Sequence, residues 1–190
     1  STQAKTLFPY TTLFRSAGEH QKWNAALAVQ ALFRAGFNLN SDSVRYGLSN
    51  VEWPGRFEVI RPGIILDGAH NPQSAEVLAA TWRAAYPGKN AALVFSAVGG
   101  KDIRGILALL APLASKIFLC PVDTPRAVPA SELAAYLPDN APPHEVFPDF
   151  NSAFSTAISH GDPVLVAGSL FLVGEARAFL TDGTFQASAQ

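Results

Sequence analysis

The chain has 190 residues, 48% of them apolar, with 14 basic and 15 acidic side chains and a formal net charge of -1. That length suits one full domain plus a piece of another, and the apolar share supplies a sizeable core. The near-neutral balance makes no electrostatic case for nucleic acid or an anionic membrane. No apolar run reaches the length of a membrane span, and a single cysteine excludes an internal disulfide. With no secretory leader visible, a cytoplasmic setting is expected.

Methionine is absent throughout. Thr6-Leu7-Phe8-Pro9-Tyr10-Thr11-Thr12-Leu13-Phe14-Arg15-Ser16 resembles the in-frame translation of a DNA-sequencing adapter. Residues 1–16 are therefore read as a non-native or disordered arm, never selected to fold or act, and the chain as a fragment of a longer protein. From Gly18 to Ala35, Trp23, Ala26, Leu27, Gln30, Ala31 and Arg34 separate apolar and polar faces at helical spacing, and Gly36 suits a C-terminal stop. Asn40-Ser41-Asp42-Ser43 caps a second helix through Leu48, and Val51 to Arg56, with Trp53-Pro54-Gly55, reads as a connector. A domain boundary is placed there.

Strands and helices then alternate. Phe57–Ile60 and Gly63–Leu66 read as strands, hairpin-paired through Arg61-Pro62-Gly63. Pro72–Ala85 is a helix with Ala75, Leu78, Ala79 and Trp82 on one face. Further strands are expected at Ala91–Ser96, Lys116–Cys120, Glu145–Phe147 and Pro163–Ala167, with helices at Asp102–Ala111, Pro129–Leu137, Phe150–Ser159 and Leu170–Leu180. Near-continuous apolar strands between amphipathic helices predict a mostly parallel, doubly wound, Rossmann-like α/β sheet covered on both faces. Cys120, after Ile117-Phe118-Leu119, reads as a buried strand residue rather than a nucleophile.

The carboxyl ends of parallel strands are where such folds bind ligands. Asp67 ends the strand Ile64-Ile65-Leu66, Gly68-Ala69 makes a tight turn, and Asn71-Pro72 suits a helix cap and first turn. An acid, the His70 imidazole and a helix N-terminus thus meet at one sheet edge. Ser96 to Asp102, then Asp123, Thr124 and Arg126, then Gly168-Ser169 follow later strands and open on the same edge. Taken singly, each also reads as a loop or cap residue; the convergence carries the functional reading. There is no Gly-x-x-x-x-Gly-Lys-Ser/Thr P-loop, no Gly-x-Gly-x-x-Gly after a strand, no Cys/His cluster at metal spacing and no Gly-x-Ser-x-Gly elbow.

Five ordered motifs carry a resemblance. They are Gly18-x-His20-Gln21-x-x-Asn24-Ala25-Ala26, Trp53-Pro54-Gly55-Arg56-Phe57-Glu58, Leu66-Asp67-Gly68-Ala69-His70-Asn71-Pro72, Lys101-Asp102, and Gly168-Ser169-Leu170-Phe171-Leu172-Val173-Gly174-Glu175. Together they resemble the C-terminal part of the folylpolyglutamate synthase/dihydrofolate synthase family of the Mur ligase superfamily, over about Gly18 to Leu180. The resemblance implies an ATP-dependent amide ligase that activates a carboxylate of folate or dihydropteroate as an acyl phosphate, which the amine of L-glutamate displaces. It further implies that residues 17–50 are the tail of a P-loop ATPase domain and 52–190 a Mur ligase-like C-terminal domain, in a monomeric parent enzyme. By position it assigns Asn24 to the adenine side of ATP, Arg56 to its phosphates and Asp67 to its ribose. It links His70 and Ser169 to glutamate binding and productive closure, and sets Lys101 at the cleft, facing a phosphate or the incoming carboxylate. His70 and Lys101 are its catalytic candidates. The P-loop, the Mg2+ ligands and the pterin pocket are expected outside this sequence, so the chain by itself is expected to be inactive. Two alternatives stand beside this reading: another Mur-type ligase fragment, and a non-catalytic α/β binding module.

Overall fold

A computed structural model describes residues 19–181 and 183. The adapter-like segment and the last residues of the chain lie outside the described residues. The chain divides into two compact units that meet between Pro54 and Gly55.

The first unit holds helices α1 (Glu19–Arg34) and α2 (Ser41–Asn50). Helix α1 ends where Gly36 adopts a φ of 84°, with Phe37 N–H donating to Leu32 O and Gly36 N–H to Phe33 O. That pair of bonds is a Schellman close, which needs a residue that enters the left-handed region cheaply. Asn40 caps α2, its side-chain oxygen accepting from Ser43 N–H at 2.8 Å. Trp23 is 60% exposed and Leu27 69%. With Val29, Phe33, Leu39 and Val44 they line an open apolar groove of about 510 Å³ within this unit.

The second unit is the α/β layer. Its elements are β1 (Glu58–Arg61), β2 (Ile64–Leu66), α3 (Pro72–Ala85), β3 (Ala91–Phe95), α4 (Ile103–Leu110), β4 (Ala114–Leu119), α5 (Ala130–Leu133), β5 (His144–Val146), α6 (Phe150–Ile158), β6 (Val164–Ala167) and α7 (Leu170–Thr181). The six strands lie in the order β1-β2-β6-β3-β4-β5. Among these six strands the β1–β2 pairing is antiparallel and the other four pairings are parallel. Central strand β3 is buried along its whole length, as a parallel strand covered on both faces must be. Ala92, Val94, Phe118 and Val166 turn to one face and pack against Phe150 and Phe154 of α6 and Leu172, Val173 and Ala176 of α7. Leu93, Phe95 and Ile117 alternate to the opposite face, where α3 and α4 pack on each other.

The boundaries shift at several points. Pro129–Leu137, expected as one helix, is a four-residue α turn, Ala130–Leu133, followed by a 3-10 turn, Ala134–Tyr136. Leu137, ahead of Pro138, is extended (φ -65°, ψ 143°), as a residue before proline is pushed to be, and the last turn before it tightens to 3-10. Strand β4 begins two residues early, at Ala114, and β5 is a short exposed edge over His144–Val146. Phe57 stands outside β1, with a φ of 46°. Among the described residues no helix is long and apolar enough to cross a membrane.

Candidate functional site

Because β2, β6, β3 and β4 run parallel, their carboxyl ends share one edge, and the loops that follow carry the candidate residues. Asp67 leaves β2 with its own N–H donating to Val166 O of β6 at 3.0 Å. Its carboxylate is held at two points: Oδ1 accepts from Ala69 N–H and Oδ2 from Phe57 N–H, each at 2.8 Å. Backbone donors on both oxygens fix the carboxylate's orientation before any ligand arrives. A Cβ on Gly68 would lie 3.2 Å from an Arg56 guanidinium nitrogen and 2.2 Å from Leu170. A charged fork therefore lies over the turn that follows Asp67, and a side chain at Gly68 would have to displace Leu170.

His70 Nδ1 lies 2.7 Å from Gly68 O. A carbonyl can only accept, so Nδ1 carries the proton and Nε2 of the neutral ring is left as an acceptor. The turn then closes into α3 with a reciprocal cap. Asn71 Oδ1 accepts from Ser74 N–H at 2.8 Å, and Ser74 Oγ accepts from Asn71 N–H at 3.2 Å and from His70 N–H at 3.1 Å. Pro72 occupies the first turn, as the sequence predicts.

After β3, Gly100 takes a φ of 81°, Lys101 is exposed and Asp102 caps α4 through Gly105 N–H at 2.9 Å. This loop pairs with the one after β4: Gly99 N–H donates to Arg126 O at 2.8 Å and Val128 N–H to Ala97 O at 3.0 Å. Lys101 and Arg126 thus sit on adjoining loops. Glu175 of α7 anchors the second loop, Oε1 accepting from Asp123 N–H at 2.7 Å. Burial pushes the Glu175 carboxyl up, and the nearby Asp123 charge adds to it against that hydrogen bond. At the end of β6, Gly168 has a φ of 111°, and a Cβ there would come within 2.1 Å of Ser96 O. Ser169 is buried, and its Oγ accepts from Phe171 N–H at 3.1 Å at the start of α7. Its observed contact is a helix cap, with the hydroxyl hydrogen still available to donate.

The structure thus gathers Arg56, Asp67 and His70 around one turn and sets Lys101 and Ser169 on neighbouring loops of the same edge. Asn24 belongs to the first unit, where its Nδ2 donates to Gln21 Oε1 at 3.1 Å on the same helix face. Cys120 is fully buried; burial and then the Glu175 and Asp149 charges push its thiol above the usual range, so it is inert as a nucleophile. Among the described residues no group of three or more His, Cys, Asp or Glu could hold a metal ion. Phe57 and Glu58 enter the site without having been singled out as individual residues. Phe57 acts through its backbone N–H, which no side-chain pattern reports. Glu58 accepts from Gly55 N–H at 2.8 Å and pairs with Arg177.

Fold and site together define a mostly parallel α/β layer whose carboxyl-terminal edge sets an oriented carboxylate and a guanidinium around one turn. The chain belongs to the Mur ligase, glutamate ligase domain family, which it matches over residues 55–170. It is 39% identical over 166 residues to the probable bifunctional folylpolyglutamate synthase/dihydropteroate synthase of Halobacterium salinarum, covering 84% of this chain and 20% of the relative. It is 40% identical over 124 residues to the dihydrofolate synthase/folylpolyglutamate synthase of Mycobacterium tuberculosis, covering 62% of this chain and 26% of that protein. The crystal structure of Mycobacterium tuberculosis folylpolyglutamate synthase complexed with ADP and AMPPCP superposes with a TM-score of 0.80 at 31% identity, covering 88% of this chain and 41% of the other. The chain therefore spans between a fifth and about two fifths of the length of these relatives.

Proposed function

We propose that this chain is the C-terminal part of an ATP-dependent ligase that adds L-glutamate to folate or dihydropteroate, and that it does not turn over ATP by itself. The observation that carries the reading is the Arg56 guanidinium lying over the Gly68 turn beside the doubly held Asp67 carboxylate. That pairing suits a ribose and a phosphate side by side, and a family relative is known complexed with ADP and AMPPCP.

The residues divide the work as follows. Asp67 accepts hydrogen bonds from ribose hydroxyls, and Arg56 offers two parallel donors to phosphate oxygens while staying charged. Asn24 meets the adenine edge with one donor and one acceptor. ATP supplies the phosphoryl group that makes the acceptor carboxylate an acyl phosphate. His70, with Nδ1–H committed to Gly68 O, presents Nε2 to an N–H of the incoming glutamate. Lys101 offsets charge on a phosphate or on the glutamate carboxylate, and Ser169 donates its hydroxyl hydrogen to the same substrate. The Mg2+ ligands lie outside the described residues, and residues 17–50 belong to the P-loop domain of a monomeric cytoplasmic enzyme. The exposed Trp23–Leu27 face of the first unit fits that assignment, since an apolar face of this size calls for cover.

The test grafts Gly18–Gln190 onto the P-loop portion of the Mycobacterium tuberculosis relative and measures phosphate release with glutamate plus either dihydropteroate or a reduced folate. Glutamate-dependent turnover is expected, and Asp67→Ala should lower it by roughly 10- to 100-fold, the worth of hydrogen bonds to a charged group. A folded graft with no turnover on either acceptor overturns the proposal. So does ATP hydrolysis by the 190-residue chain alone.

A further inference from the structure

Phe57 is the one non-glycine residue with positive φ, 46°, among the described residues. A bulky L side chain rarely adopts that conformation, and strain of this kind persists only where the surroundings over-determine it. Here they do. Phe57 N–H donates to Asp67 Oδ2 at 2.8 Å, across ten positions of sequence. Gly68 N–H donates to Gly55 O at 2.8 Å, and Gly55 N–H to Glu58 Oε2 at 2.8 Å. Glu58 is itself paired with Arg177 of α7. The Phe57 ring is buried with its centroid 6.4 Å from that of Tyr86, which stacks on Trp82 at 4.5 Å. A Cβ on Gly55 would press to 2.9 Å from Val173. The segment by which the chain enters the second unit is thus bonded directly to the loop that carries Asp67.

We propose that Asp67 is a latch as well as a ligand: its carboxylate couples occupancy of the ribose position to the backbone path of residues 55–57. This rests on the ribose reading of Asp67 given above. A carboxylate accepts several hydrogen bonds at once, so ribose hydroxyls and the Phe57 and Ala69 N–H groups share one carboxylate orientation. Hydroxyls that hold this orientation hold Phe57 in its strained conformation, and a relaxed Phe57 lets the carboxylate swing away from the hydroxyls. The coupling is reciprocal, as any linkage between two equilibria must be. Asp67 is in this respect a positioning residue for the connector.

The experiment is backbone NMR on the full 190-residue chain, with ADP and 2′,3′-dideoxy-ADP as probes. ADP should shift the Phe57 and Ala69 amides along one saturation curve, whereas the dideoxy analogue should leave Phe57 in place. Phe57→Ala keeps the N–H but loses the buried ring. Its backbone carbon shifts should leave the left-handed range, and ADP affinity should fall about tenfold, as for a competent state populated at about a tenth. Phe57→Gly enters the left-handed region without strain and should restore both. Saturating ADP that shifts Ala69 but not Phe57 overturns the latch and leaves the ribose reading standing. ADP that shifts neither overturns both. Equal shifts of Phe57 by the two nucleotides also overturn the latch, because they remove the hydroxyls from the coupling. If Phe57→Ala loses the core methyl signals of Ile106 and Leu107, the dideoxy comparison on the unaltered chain decides.

Discussion

Glu175 shows what a single side chain does at this edge. It holds the loop after β4 through Asp123 N–H, yet burial and the Asp123 charge raise its folded-state pKa. A carboxyl so raised favours folding fully only below its unfolded value, and that contribution is lost as pH rises through the folded value. At neutral pH the charged form is therefore a net cost. Glu175→Gln keeps an acceptor for Asp123 N–H and removes the charge. It should raise the thermal midpoint at neutral pH, and the gap to the unaltered chain should close as pH falls toward the ordinary carboxylate range. A gap that widens on acidification would contradict this. The same scale shows what was legible. Asp67, His70, Asn71 and Pro72 are readable in the sequence because a turn and a cap are built from neighbours a few positions apart. Phe57 is not readable in this way. Its conformation is imposed by a carboxylate ten residues on and by a ring contact with Tyr86.

At the scale of elements, helix caps carry much of the register. Asn71, Asp102 and Asp149 each accept from a backbone N–H three residues on. For Asp149 the Ser152 N–H, then the Ser152 hydroxyl, hold the carboxyl below its usual range. The cap at Asn71 also aims the His70 turn, so Asn71→Ala should cost about 1 kcal/mol of stability, measurable by urea unfolding. It should also broaden the His70 ring resonances, whereas a sharp, unshifted His70 would show that the Gly68 carbonyl alone orients the ring. Strands β3 and β6 were legible as apolar runs because both their faces are covered. The helix expected over Pro129–Leu137 was not realised. Leu137 is pushed to extended backbone by the proline that follows it, and only the turn at Ala130–Leu133 keeps α geometry.

For the molecule as a whole, the two units differ in how complete they are. The second closes its own core around β3, with α6 and α7 on one face. The first leaves Trp23, Leu27, Phe33, Phe37 and Tyr46 exposed. Trp23→Lys together with Leu27→Glu should suppress concentration-dependent association of the chain, measured by light scattering, while the unfolding midpoint of the second unit stays unchanged. Association that persists in the double variant would place the sticky surface elsewhere. The sequence by itself determined the alternation of strands and helices, the parallel character of the sheet and the caps. Periodicity, turn chemistry and apolar runs are local signals that each segment carries alone. Only the tertiary structure decided the strand order, the seating of Arg56 over Gly68, the clamp of Glu175 on Asp123 and the strained path of Phe57. Each of these joins residues distant in sequence, and such contacts are set by which elements the core brings side by side.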